Sequence, residues 1–221
     1  MPLLDGPRLA PAYGGPAQRL VVLLHGYGAD GHDLIELGRD FARVLPTAAF
    51  VAPNAPERCD MTGLGYQWFP LSFRDPSEFW RGVNQAAPLL DAFLDDELAR
   101  HGLTEADAAL IGFSQGTMMA LHVGPRRRRA FAGLVGFSGL LAGPRELAGE
   151  ARSKPPVLLL HGQDDDVVPV AFLEPAVATL TAAGLPVEWH RLPGLGHGID
   201  ETGLSFAVEF LAGRLGSRAA A

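Results

Sequence analysis

Six short runs, most of them made of Val, Leu, Ala, Ile and Phe, lie at 20–24, 48–52, 108–112, 133–137, 157–160 and 187–192, and longer stretches of helical period separate them. No other feature constrains the fold as strongly. Parallel neighbours in a sheet need a crossover of a dozen residues or more, which a helix fills. The alternation therefore predicts βαβ units around a mostly parallel sheet, an α/β fold. Nearly all the runs are continuously apolar, as strands covered by helices on both faces should be. With 221 residues, 48% apolar and 19% charged, the chain can bury a sizeable core and reads as one domain, 1–221. The Pro/Gly-rich start to about residue 18 and the Ala-rich end from 216 read as loosely held termini.

Between the strands, Asp33 and Glu36 form a capping pair for a helix with Leu34, Leu37, Phe41 and Val44 on one face, closed by Pro46. Asp75-Pro76-Ser77-Glu78 opens another helix and Gly102 stops it, while Pro88 between them predicts a kink or a late start. Residues 172–183 and 204–215 supply the last two helices, the second with an apolar stripe of Leu204, Val208, Leu211 and Leu215.

Charge and cysteine content exclude several function classes. A net charge of −7 gives no positive field to attract a phosphate backbone, so no nucleic acid is expected as partner. The basic run Arg126 to Arg129 reads as a solvated helix face or loop. The single cysteine, Cys59, rules out an intrachain disulfide or a cysteine-rich metal site. The first residues, Met1 to Pro7, lack the basic start and apolar run of a signal peptide, and no stretch is long and apolar enough to span a bilayer. A cytoplasmic protein without stable membrane insertion is the expectation; oligomeric state is not legible.

Chemistry enters with Gly112-Phe113-Ser114-Gln115-Gly116, a G-x-S-x-G pentapeptide between a predicted strand and a helix-compatible segment. A serine in such a sharp turn is strained, and its flanking positions must be small because strand and helix approach closely there. The turn aims the Ser114 hydroxyl outward and brings the Gln115 N–H to a helix N-terminus, where it can donate to a developing oxyanion. Ser138, in Gly136-Phe137-Ser138-Gly139, lacks the second glycine and reads as a turn serine.

A serine hydroxyl needs a base that is itself oriented by an acid, in the chain order Ser, Asp or Glu, His. His190 and His197 both fall late enough. His190 sits inside an alternating strand, whereas His197 lies on a glycine-rich loop before the last helix and is the predicted base. The run 157–162 leads straight into Asp164, Asp165 and Asp166, among which spacing does not choose. After the first strand, His25-Gly26-Tyr27-Gly28 can bring the Tyr27 N–H alongside the turn as a second oxyanion donor, with His25 supporting the turn by hydrogen bonding. His32, His101, His122 and His161 read as surface, cap or strand-end residues.

Taken together, these residues resemble the carboxylesterase, phospholipase and acyl-protein thioesterase family of small α/β-hydrolases, from about Leu20 to the last helix. The landmarks are Leu24 to Gly28, Ala52 to Pro56, Trp68-Phe69, Gly112 to Gly116, His161-Gly162 with Asp165 and Val168-Pro169, and Gly196-His197. The resemblance implies an α/β-hydrolase fold without a separate lid domain. It implies Ser114, Asp165 and His197 as the triad and the amides of Tyr27 and Gln115 as the oxyanion hole. It also places Trp68-Phe69 on a loop bordering the acyl groove, against the alternative of an aromatic pair tucked into the core. Thr117 departs from the family pattern, standing where many relatives have glycine; Pro88 and the loop from Glu57 to Asp75 depart as well.

The reaction expected is hydrolysis of short- to medium-chain carboxylic esters through an acyl-enzyme on Ser114, with thioesters or lysophospholipids as alternatives and no cofactor or metal required. Two rivals come from other classes. Gly26 to Gly31 spells G-x-G-x-x-G, as in nicotinamide-binding oxidoreductases, but the second strand ends at Asn54 without the acidic residue that would hold a ribose. A non-catalytic binding module on the same fold is the other, and the presence of all three triad residue types argues against it.

Overall fold

A computed structural model of the chain describes residues 4–60, 63–72, 75 and 77–216. In chain order its elements are β1 (Arg8–Leu9), β2 (Arg19–Leu24), α1 (Gly31–Ile35), α2 (Leu37–Ala42), β3 (Ala48–Val51), β4 (Glu57–Arg58), β5 (Tyr66–Gln67) and α3 (Ser77–His101). There follow β6 (Ala108–Phe113), α4 (Gln115–Arg126), β7 (Gly133–Phe137), α5 (Leu147–Glu150), β8 (Val157–Gly162), α6 (Leu173–Ala182), β9 (Val187–Leu192) and α7 (Glu201–Leu215). All six predicted strands form. With β1 they build a seven-stranded sheet in the order β1-β3-β2-β6-β7-β8-β9, parallel except for β1.

Alternation along these strands sends side chains to two separate cores. Leu20, Val22, Leu24, Leu110 and Leu134 face the layer of α3, α4 and α6. Val21, Leu23, Ile111, Val135 and Phe137 face the layer of α1, α2 and α7. The strand ends carrying β2, β6 and β8 into their loops all lie on the same, carboxyl-terminal edge, where open parallel sheets place their sites.

Several elements differ from expectation. The segment before residue 18, read as loosely held, lays Arg8–Leu9 antiparallel against β3 as an edge strand. Further hydrogen bonds run from Asn54 N–H to Asp5 O (2.9 Å) and from Tyr13 N–H to Pro46 O (2.9 Å). Residues 217–221 of the Ala-rich end lie outside the described residues. The first helix is capped three residues earlier than predicted: Asp30 accepts from His32 N–H, and Asp33 reaches back to Asp30 N–H. The reason is tertiary, because Asn54 Oδ1 takes the Gly31 N–H at 2.9 Å and anchors the turn there.

Helix α3 runs unbroken through Pro88, whose ring sits on the exposed face while Val83, Ala86, Leu90 and Leu94 pack on the sheet. Water can then serve the carbonyl that the proline leaves without a donor. In α7 the buried stripe is Gly203, Ala207, Phe210, Leu211 and Leu215, so Leu204 and Val208 lie at its margin rather than at its centre. The basic run is only half solvated. Arg126 pairs with Glu150, and Arg127 gathers Asp91, Asp95 and Glu105. His122, read as a surface, cap or strand-end residue, is buried in the middle of α4, and its Nδ1 has no hydrogen-bond partner among the described residues.

Candidate active site

Ser114 links β6 to α4 and has φ +52° and ψ −113°, a conformation that L residues adopt at a cost of about 1–3 kcal/mol. The sequence enforces it with its two glycines. A Cβ at Gly112 would come within 2.4 Å of Thr117 N, and one at Gly116 within 1.9 Å of Leu24 O, so the elbow closes only with both positions bare. The Ser114 N–H donates to Phe137 O (2.9 Å), tying the turn to β7. Ser138 also has positive φ, +45°, but its hydroxyl is buried and makes no hydrogen bond among the described residues.

Asp165 leaves β8 through a tight turn in which its Oδ1 accepts from Val167 N–H (3.0 Å) and Val168 N–H (2.8 Å). Its Oδ2 accepts from His197 Nδ1 at 2.8 Å. Burial pushes this carboxyl up, but the bonds from His197 and the two amides outweigh burial and hold it below the usual carboxylate range. With Nδ1–H given to Asp165, the imidazole keeps its lone pair on Nε2. The His197 ring lies against Phe113, centroids 4.9 Å apart, which seats it beside the elbow. The Ser114 hydroxyl itself makes no hydrogen bond with a described residue; such bonds are often loose before substrate binds.

Neither the Tyr27 nor the Gln115 backbone N–H donates to an acceptor among the described residues. The loop between them is fixed from below. His25 Nδ1–H donates to Gly26 O (2.7 Å) and its Nε2 accepts from Ala55 N–H (2.9 Å), the supporting role expected of it. The Gln115 side chain, fully buried, accepts from Trp68 N–H (2.8 Å) and donates to Phe69 O (2.7 Å).

These bonds overturn the groove assignment of Trp68 and Phe69. Their side chains are 1% and 0% exposed, and Trp68 Nε1–H donates to His25 O (3.0 Å), so the pair braces the oxyanion loop from inside the core. The apolar opening lies elsewhere, in a cavity of about 570 Å³ lined by Phe79, Trp80, Leu140, Leu141, Phe172 and Ala176. Its walls are the loop after Ser138-Gly139, the first turn of α3 and the start of α6. No local pattern marks their convergence, which hid the cavity from sequence reasoning. Missed too was His161, whose Nε2–H donates to Val168 O (2.7 Å) and stands 3.3 Å from Asp165 Oδ2, although His161-Gly162 is among the family landmarks. Among the described residues, no cluster of His, Cys, Asp and Glu could hold a metal ion, and no helix is long and apolar enough to cross a membrane.

A mostly parallel sheet with helices on both faces and a strained serine at the turn after its central strand defines the α/β-hydrolase class. The comparisons narrow this. The phospholipase/carboxylesterase family profile matches residues 11–214, and the chain belongs to that family of serine hydrolases acting on carboxylic ester bonds. The crystal structure of esterase PE8 superposes with a TM-score of 0.94 at 46% identity, over 97% of this chain and 100% of that one. Esterase YpfH of Escherichia coli (strain K12) is 30% identical over 89% of this chain and 83% of its own length. Acyl-protein thioesterase 1 of Gibberella zeae is 24% identical over 88% and 90%.

Proposed function

We propose that the chain is a carboxylesterase that hydrolyses short- to medium-chain esters through an acyl-enzyme on Ser114. The observation that carries this is the Asp165–His197 pair at 2.8 Å, seated by Phe113 beside a serine held in a strained turn. His197 Nε2 takes the Ser114 proton as the hydroxyl oxygen attacks the acyl carbon. The Tyr27 and Gln115 amides receive the oxyanion, and Asp165 steadies the imidazolium. As the tetrahedral intermediate collapses, the C–O bond breaks and its electron pair leaves with the alcohol oxygen, which takes the proton from Nε2. Water repeats the sequence on the acyl-enzyme, releasing the acid and restoring Ser114. The apolar cavity under Leu140, Leu141 and Phe172 receives the acyl chain.

Thioesters are the second reading, supported by the likeness to acyl-protein thioesterase 1 along most of the chain. A chain-length series of oxygen esters and thioesters separates the two, and an optimum at long-chain lipids would refute the short-to-medium reading. The net charge of −7 argues against nucleic acid as partner, and the single cysteine suits a cytoplasmic location. The deciding experiment is hydrolysis of p-nitrophenyl butyrate alongside fluorophosphonate labelling. Ser114→Ala should abolish labelling and lower turnover on the order of a million-fold. Turnover retained by a folded Ser114→Ala would remove the serine from the reaction.

A further inference from the structure

Two openings lie on opposite faces of the sheet. The acyl cavity is lined by residues of the α3/α4/α6 layer. A second, open cleft of about 320 Å³ lies over the α1/α2/α7 layer, lined by Gly26, Asp33, Leu34, Leu37, Phe113 and Ile199. This cleft borders the catalytic residues: a Cβ on Gly26 would stand 3.3 Å from Ser114 Cβ, Phe113 is the neighbour of Ser114, and Ile199 follows His197 by two residues. The Phe113 ring that forms its wall is the same ring that touches His197.

We infer that this second cleft is the leaving-group site, built for an uncharged apolar or aryl alcohol and set against anionic ones. This rests on the esterase reading above. The imidazole must hand its proton to the departing oxygen, so the alcohol portion of a bound ester lies on the imidazole's side of the serine. Here that side is the face of Phe113 and Ile199, and the acyl portion is left with the opposite face. Leu34, Leu37, Phe113 and Ile199 offer apolar surface to an aryl or alkyl group. The charged group in the lining is the Asp33 carboxylate, whose Oδ2 is engaged by Asp30 N–H (2.8 Å) and whose Oδ1 has no donor among the described residues. A phosphate- or carboxylate-bearing alcohol would be repelled there.

Butyrate esters that differ only in the alcohol test this. Leu37→Trp fills the cleft from α2 and should lower kcat/KM for 2-naphthyl butyrate about ten-fold while ethyl butyrate changes less than about two-fold. Deacylation of the shared butyryl-enzyme and the acyl-length profile of ethyl esters should not move. Asp33→Asn keeps a capping acceptor and should raise kcat/KM for 4-carboxyphenyl butyrate about three- to five-fold relative to phenyl butyrate. Equal effects of Leu37→Trp on both alcohols, or a shift in acyl-length preference instead, would overturn the assignment, as would an unchanged charge preference in Asp33→Asn. If Leu37→Trp does not fold, Asp33→Asn decides alone. Absence of fluorophosphonate labelling in the parent enzyme would mean that the esterase reading itself has failed.

Discussion

Ser114 is held in its strained conformation by a neighbour three residues on. Thr117 Oγ1 lies 2.8 Å from Gly112 O and 2.9 Å from Phe137 O, and Phe137 O is also the acceptor of the Ser114 N–H. Its methyl group occupies the space over Gly136 and Gly139, where a Cβ would approach Thr117 side-chain atoms to 2.5 and 2.4 Å. Thr117 thus joins elbow, helix α4 and strand β7 at one point. Thr117→Val keeps the shape and removes the hydroxyl; it should cost about 1–2 kcal/mol in unfolding and lower kcat about ten-fold with KM unchanged. Thr117→Ser, which keeps the hydroxyl, should restore most of kcat. Denaturant melts and steady-state kinetics on one p-nitrophenyl ester measure both, and equal kcat in all three proteins would show that the hydroxyl does not hold the nucleophile.

Among the elements, α3 and α4 meet through a buried histidine. The His122 ring stands edge-on to Trp80 at 5.4 Å, and Arg126 lies 5.5 Å from Trp80 while donating to His122 O. Burial, reinforced by the Arg126 charge, pushes the His122 imidazole down to about 3 from an ordinary 6.5. Between these values the unfolded chain binds a proton that the folded one refuses. The contribution of His122 is therefore fully present above pH 6.5 and is lost as pH falls toward 3, by at most about 1.4 kcal/mol per pH unit. His122→Leu should flatten the decline in unfolding free energy between pH 6 and 4. An unaltered slope in urea melts would assign that decline to other groups.

Elements also differ in how far the sequence disclosed them. The six parallel strands were legible because burial on both faces demands unbroken apolar runs such as Leu20 to Leu24. Arg8–Leu9 was not, since a two-residue edge strand has no period and its pairing depends on β3 far along the chain. The elbow and His197 were legible because chemistry restricts their residue types and order, whereas only the family resemblance singled out Asp165 among three neighbouring aspartates. Trp68 and Phe69 were not placed correctly, because an aromatic pair suits a groove or a core equally. What decides between them is the Gln115 side chain, a partner 46 or 47 positions away.

At the scale of the molecule, the N-terminal segment closes the sheet on the side away from the site. Arg8 bonds at once to Asp5, which is exposed, and to Glu97 at 2.7 Å, whose side chain is 2% exposed on the inner face of α3. Among the described residues Glu97 has one further cation, Arg100 at 3.2 Å, while its buried Oε2 has no hydrogen-bond partner there. Removing Arg8 would strand a carboxylate that is already short of donors, and breaking a buried pair from one side is far more costly than losing an exposed one. Because Arg8 is itself about one-third exposed, solvent recovers part of that loss. Arg8→Ala should therefore destabilise the fold by about 2 kcal/mol and lower Tm by roughly 4–8 °C. Arg39→Ala, which breaks the exposed pair with Glu36, should leave Tm essentially where it is in the parent. Since β3 and β2 separate β1 from the strand that carries Ser114, kcat at 25 °C should be the same in all three proteins. Calorimetry and ester kinetics on the same preparations measure the two effects. A drop in kcat in Arg8→Ala without a drop in Tm would mean that the edge strand communicates with the elbow rather than sealing the sheet.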